Sequence, residues 1–197
     1  VLALTSSPER MPALRAAGAE PVLADLDDAA TLRRLAGLAD AVLHLAPPPG
    51  QGAGDTRTRH LLQALARGSR PARLVYASTT GVYGDCRGAR FDETRPVNPA
   101  TDRAKRRVDA EAQLRQASLN LGIACSVLRI PGIYATDREG GHPRDRVARG
   151  APVLLAKQDV YTNHVHAEDL ARACVAALFR GARQRCYHVT DDSDSKM

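Results

Sequence analysis

The chain has 197 residues, 44% of them hydrophobic and 25% charged, with 28 Lys plus Arg against 22 Asp plus Glu for a net charge of +6. That length and apolar content suit one domain with a sizeable core and exclude a disordered or collagen-like chain. No apolar run nears the roughly 20 residues that cross a bilayer, and no charged stretch leading into an apolar one opens the chain, so a soluble, cytoplasmic protein with no membrane partner is expected.

The basic excess points first to nucleic acid. Yet Trp is absent, aromatics make up 4%, and the basic residues, only three of them lysines (Lys105, Lys157, Lys196), are scattered among acids. A base-stacking platform needs more rings, so no nucleic-acid partner is expected. Cysteines 86, 125, 174 and 186 have no metal-ligand spacing and read as free thiols.

In chain order, the apolar run Val1-Leu2-Ala3-Leu4 reads as a strand cut at its beginning. Ser7-Pro8 then opens a helical stretch that runs to Ala17 and stops at Gly18. A second strand, Pro21 to Ala24, leads through Asp25-Leu26-Asp27-Asp28 into a helix over Ala29 to Leu38, with Leu32, Leu35 and Leu38 on one face. Ala41 to Ala46 reads as a buried strand, Pro47 to Gly54 as a loop, and Asp55 to Ala66 as a helix striped by Leu61, Leu62 and Leu65. Arg73 to Ala77 is a strand ending in Ser78-Thr79-Thr80, and a long helix spans Pro99 to Asn120. Ala124 to Ile130 is a further strand. Pro131 to Gly150, rich in Gly, Arg and Asp, reads as an irregular cap, followed by a short strand at Val153 to Leu155, a helix over His166 to Phe179 and a last strand at Cys186 to Thr190.

Apolar strands alternating with amphipathic helices predict an α/β fold, a doubly wound parallel sheet covered on both faces. Ligands of such sheets bind beyond the carboxyl ends of the strands. That rule selects Thr5-Ser6, Asp25-Leu26, Ala46-Pro47, Ser78-Thr79 and Pro131-Gly132. Each is also an ordinary loop or cap composition.

The run Val75-Tyr76-Ala77-Ser78-Thr79-Thr80-Gly81-Val82-Tyr83-Gly84-Asp85 resembles the strand-to-loop signature of extended short-chain dehydrogenases/reductases, the NAD-dependent epimerase/dehydratase branch. Three further segments agree in order: Pro96 to Lys105, Leu128-Arg129-Ile130-Pro131-Gly132-Ile133-Tyr134, and Val165-His166-Ala167-Glu168-Asp169-Leu170-Ala171. The resemblance implies a Rossmann-type domain over 1–130, incomplete at its start, and a substrate-binding region over 131–197, incomplete at its end. No G-x-G-x-x-G occurs, so by this comparison the β-α unit that cradles the pyrophosphate is expected upstream of Val1.

Carried over, the resemblance gives Asp25 the adenine amino group and the Leu26 backbone the ring edge, with Asp25 as a helix cap the plainer alternative. Ala46, Pro47 and Ser78 would line the cofactor, with Pro131, Gly132 and Ile133 on the nicotinamide side. Thr5, Ser6 and Arg10 stand where an acid would select NAD, so NAD(P) is the expected cofactor with NADP favoured. The family's catalytic set is Ser or Thr, Tyr, and Lys four residues after that Tyr. Thr79 and Lys105 match, but Thr101 occupies the Tyr position, and its hydroxyl titrates far above a phenol's value of about 10. Tyr83, Tyr134 and Tyr161 are possible substitutes that also read as packed rings, and Lys105 as a solvated helix face. Tyr83 and Arg138 would meet substrate; the loop carrying Arg138, His142, Arg144, Arg146 and Arg149 would hold an anionic group such as that of a nucleotide sugar, or remain a solvated lid. His164 and His166 share a face without a third ligand, so no metal is expected.

Two functions follow from the resemblance: an oxidoreductase of the epimerase/dehydratase type acting on a sugar-like or other small hydroxyl or keto substrate, or a non-catalytic NAD(P)-binding sensor or scaffold that has lost the Tyr. The expected partners are the dinucleotide, that small molecule and a second copy in a homodimer.

Overall fold

A computed structural model describes residues 1–137, 143–152, 155, 157, 159–193 and 196. Its centre is a pair of parallel strands, β4 (Arg73–Thr79) and β5 (Ala124–Ile130), whose side chains alternate between two faces. On one face Leu74, Tyr76, Cys125 and Val127 pack with Leu61 and Leu65 of helix α2 (Thr56–Leu65) and Leu114 of helix α3 (Asp102–Leu121). On the other, Val75, Leu128 and Ile130 pack with Val165 and with Cys174 of helix α5 (Ala167–Arg180). Burial of both faces is why these strands read as continuous apolar runs rather than as alternating ones.

The sheet order is β3 (Ala41–His44), β4, β5, β8 (Arg185–His188), all parallel. Two parallel pairs stand apart from it: β1 (Leu2–Thr5) with β2 (Glu20–Leu23), and β6 (Gly132–Tyr134) with β7 (His164–His166). Among the described residues β1 pairs only with β2, and β3 only with β4. Helix α1 (Met11–Ala16) joins β1 to β2, and Asp55 caps α2 by accepting from the Thr58 amide at 3.0 Å. No helix among the described residues is long and apolar enough to cross a membrane. All four cysteines are free thiols.

Two expected elements differ. The helix over Ala29 to Leu38 is instead a 3₁₀ segment, Thr31–Leu35. The Thr31 hydroxyl bonds back to the Asp25 and Asp28 carbonyls, competing with helical pairing, and Gly37 at φ +72 turns the chain away. The cap expected to be irregular over Pro131 to Gly150 contains β6 and a short helix, α4 (Pro143–Ala148). β6 depends on Gly132, where a Cβ would sit 2.6 Å from the His164 ring. The strand expected at Val153 to Leu155 falls mostly outside the described residues.

Candidate functional site

Helix α2 draws together the loops that follow β2 and β3. Arg57 donates to both Asp27 carboxylate oxygens, at 2.8 and 2.6 Å, and to the Pro47 carbonyl at 3.2 Å. His60 Nδ1 donates to the Leu26 carbonyl at 2.8 Å. Asp25 closes its own turn, Oδ1 accepting from the Asp27 amide at 2.9 Å. Thr5 folds in the same way onto Ser7, while Ser6 and Arg10 are exposed. The residues expected at the adenosine side are therefore small loop groups, with the Ser6 hydroxyl and the Arg10 cation turned to solvent and the Thr5 hydroxyl folded back onto Ser7. That donor set fits a ribose and a phosphate.

At the carboxyl ends of β4, β5 and β8 the apolar face turns polar. Ser78 lies beside Arg129 in register, and Arg129 beside His188, forming one row across three strands. Covering the row is Glu111 of α3, 1% exposed: Ser78 Oγ donates to its Oε1 at 2.6 Å, and Arg129 Nη2 to its Oε2 at 2.7 Å. A buried carboxylate needs this many partners, since each lone pair left bare would cost about 1–3 kcal/mol or more. Burial works against the Arg129 charge and is the largest single influence on it, but the bond to Glu111, the Glu111 charge and the bond to Tyr83 together outweigh it and raise the guanidinium above its ordinary value. Arg129 Nη1 also donates to the Tyr83 hydroxyl at 2.6 Å, which in turn lies 2.6 Å from His188 Nε2. The His188 amide donates to Glu93 Oε1 at 2.8 Å. Burial raises the Tyr83 phenol above its ordinary value, against the lowering pull of Arg129, and pushes the His188 imidazole below its own.

Beyond this row opens a cavity of about 590 Å³. Thr80, Pro131, Gly132 and His188 form its sheet-side wall, with residues 84–91, 160–163 and 190–193 around it. Gly84 (φ +68) permits the turn into that loop, where a Cβ would strike the Asn98 carbonyl. Of the candidate site residues singled out in the sequence, Pro131, Gly132 and Tyr161 line the cavity; Ile133 is exposed in β6.

Thr79 caps the 3₁₀ turn Thr80–Tyr83, its hydroxyl accepting from the Gly81 amide at 3.2 Å. Thr101 is likewise spent as the cap of α3, accepting from Ala104 at 3.2 Å. Lys105 points outward, its side chain 58% exposed and paired with Asp102 at 3.0 Å. Two residues on, Arg107 turns inward and donates to the Tyr76 hydroxyl at 2.9 Å and the Ala77 carbonyl. Ala46 is half-buried beside Pro47. Arg138 and His142 lie outside the described residues.

Glu111 and His188 are functional candidates that the sequence reading missed, and Arg129 entered it only as part of a motif. A signal was present for two of them: Glu111 sits on the helical stripe Ala104, Ala110, Leu114, Ala117, where a charge needs a buried partner, and Arg129 is the one charge in the strand Ala124–Ile130; β8, with Arg185 and Tyr187 beside His188, gave none.

Comparison with known proteins gives a consistent kinship. The model of the NAD dependent epimerase/dehydratase family matches residues 1–189. Protein YeeZ of Escherichia coli (strain K12) is 31% identical over 143 residues, 71% of this chain and 48% of YeeZ, so the chain spans about half the length of that curated relative. A functionally unknown conserved protein from Silicibacter pomeroyi DSS superposes with a TM-score of 0.74 at 29% identity, over 97% of this chain and 64% of its own. UDP-glucuronic acid 4-epimerase from Bacillus cereus, in complex with NAD, superposes with a TM-score of 0.78 over 100% of this chain and 71% of its own; at 17% identity this is a likeness of fold.

Proposed function

The chain belongs to the NAD dependent epimerase/dehydratase family, and from that premise we propose that it binds NAD(P) along the rim formed by the loops after β1, β2 and β3 and takes a sugar-like or other small hydroxyl or keto compound into the cavity. The observation that carries this reading is the cavity's place, at the carboxyl ends of β4, β5 and β8, beside a polar row that runs from buried Ser78 and Arg129 to half-buried His188. When bound, the dinucleotide supplies a hydride acceptor or donor. The chain's own work is to bind, to orient and to move a proton. By residue range, 1–130 forms the dinucleotide-binding domain and 131–197 the substrate-binding region, whose first residues return to the core and the cofactor.

In this reading Asp25 and Leu26 meet the adenine, and Thr5, Ser6 and Arg10 the ribose and its 2′ substituent. Ala46, Pro47, Ser78, Pro131, Gly132 and Ile133 flank the remaining cofactor. Thr79 orients the substrate oxygen, Lys105 swings from Asp102 to the ribose hydroxyls, and Tyr83 and Arg138 serve the substrate side. A cation and two hydroxyls with no carboxylate among them favour NADP over NAD. Calorimetric titration of the intact protein tests this: tighter binding of NADP is expected, and equal or tighter binding of NAD would refute the preference. The same reading expects a cytoplasmic homodimer, which sedimentation of the intact protein would check.

A second reading, a dinucleotide-binding sensor or scaffold without turnover, draws on two observations: the Thr101 hydroxyl is committed to capping α3, and Lys105 is tied to Asp102. Cofactor-dependent turnover on a panel of sugar nucleotides and small keto compounds separates the two. Turnover is expected; binding without it across the panel would favour the sensor.

A further inference from the structure

His188 is the member of the polar row that reaches the cavity wall. A guanidinium only donates, so the Tyr83 oxygen accepts from Arg129; Tyr83 is 2% exposed, its buried proton needs an acceptor, and we assign that role to His188 Nε2, 2.6 Å away. With Nε2 accepting, the proton of the neutral ring sits on Nδ1. Among the described residues Nδ1 has no hydrogen-bond partner, and it is not among the buried orphan atoms, so it is accessible on a ring that lines the cavity. The groups around the imidazole are Glu93 and Asp92, which favour its charge, Arg129, which opposes it together with burial, and the Phe91 ring, edge-on at 5.9 Å. The ring therefore rests neutral, as a donor.

Resting on the hydride-transfer reading and deepening it, we propose that His188 is a catalytic residue that hydrogen-bonds the substrate oxygen through Nδ1 and exchanges a proton with it, with Tyr83 as the positioning residue that fixes the tautomer. This supplies what Thr101 cannot, because an alcohol titrates far above a phenol or an imidazole. As negative charge develops on the substrate oxygen, the Nδ1 proton moves to it and Nε2 takes the Tyr83 phenol proton. Burial opposes the phenolate left on Tyr83, and the Arg129 guanidinium, whose Nη1 donates to that oxygen at 2.6 Å, offsets part of the cost. One proton leaves Tyr83, one arrives on the substrate, and the imidazole ends neutral with its tautomer inverted; in the oxidative direction both protons return.

The test uses the intact protein labelled with nitrogen-15 in histidine. Long-range proton–nitrogen correlations are expected to show His188 protonated on Nδ1, and Tyr83→Phe to erase that preference while circular dichroism stays unchanged. His188→Asn is expected to keep dinucleotide affinity by calorimetry and to lower kcat by about 100-fold or more. A proton on Nε2 in the parent, or a kcat in His188→Asn within about threefold of the parent, overturns the proposal while leaving hydride transfer standing. If the parent is inert on the panel of sugar nucleotides and small keto compounds, the hydride-transfer reading falls, and catalysis by His188 falls with it. The contact is then judged by binding: the Nδ1 resonance must move on saturation with the tightest-binding panel member, and a resonance that stays put, or a panel without a binder, removes that too.

Discussion

The two faces of α3 handle charge in opposite ways. Outward, Asp102 and Lys105 form a pair with side chains 78% and 58% exposed, three residues apart on one helix, where water screens their attraction. Inward, Glu111 meets Arg129 and Ser78 with almost no exposure, and each oxygen and nitrogen of that cluster is committed. The outward pair is cheap to make and to break, so it is free to change partners. The inward one is costly to disturb, which suits a wall that must hold His188 in a fixed orientation.

The largest expected effect comes from leaving the inward cluster half made. Glu111→Ala strands the Arg129 guanidinium in the core and is expected to lower stability by about 3–5 kcal/mol in urea unfolding. The double change Glu111→Met with Arg129→Met should cost less than either Glu111→Ala or Arg129→Ala alone, because no bare charge remains. A double variant as unstable as the sum of the singles would show that packing, and not the charge, dominates there.

Arg107, also inward, bears on His44, whose ring is buried against Tyr76 at 5.1 Å with Nε2 2.8 Å from Thr58 Oγ1. Burial, and then Arg107, pushes the His44 imidazole down from 6.5 to about 4. Between those values the unfolded chain binds a proton that the folded chain refuses. Stability is therefore full above about pH 6.5 and falls as pH drops towards 4, by about 2 kcal/mol between pH 7.5 and 5. His188, shifted in the same direction, adds to the fall. His44→Gln is expected to flatten this slope; an unchanged slope would remove His44 as its source.

Asp55 links α3's middle to α2. Its carboxylate accepts from the Thr58 amide and hydroxyl, at 3.0 and 2.9 Å, and its own amide donates to Asp109 at 2.7 Å. Asp55→Ala removes the cap and is expected to cost about 1–2 kcal/mol by thermal or urea unfolding, with Asp55→Asn recovering part of it. A loss near that of Glu111→Ala would move Asp55 into the same class as the inward cluster.

How legible this was depends on range. β4, β5, α2, α3 and α5 were readable to within a few residues, because both sheet faces are apolar and each helix carries a stripe such as Leu61, Leu62 and Leu65. Thr31–Leu35 was not, because a hydroxyl bonding back onto Asp25 and Asp28 is a local competitor that periodicity does not see. The site was legible mainly where it follows strand ends, as at Pro131 and Gly132, with Tyr161 reached through the resemblance. The row Ser78, Arg129, His188 depends on the register between strands far apart in sequence, and no motif spacing encodes that. Lys105 illustrates the converse: its spacing from Thr101 was readable, but the direction of its side chain depends on which stripe of α3 the core takes, and the core takes Ala104, Arg107 and Glu111.

The smallest expected effect on stability is therefore Lys105→Ala, and it is the change that most directly tests the contrast between the faces. An exposed ion pair in water contributes little, so the urea midpoint of the variant should match that of the parent. If Lys105 leaves Asp102 to hold ribose hydroxyls, its loss should weaken NADP binding by about tenfold, the scale of one hydrogen bond to a charged group. The stability of the apo protein would stay the same, a separation that no inward residue can give, since every inward change disturbs folding as well. Calorimetry on parent, Lys105→Ala and Asp102→Ala decides it. Asp102→Ala frees the lysine and should leave affinity equal or slightly raised. Unchanged affinity in Lys105→Ala would assign the outward face to solvent alone and leave cofactor and substrate to the strand ends and the polar row.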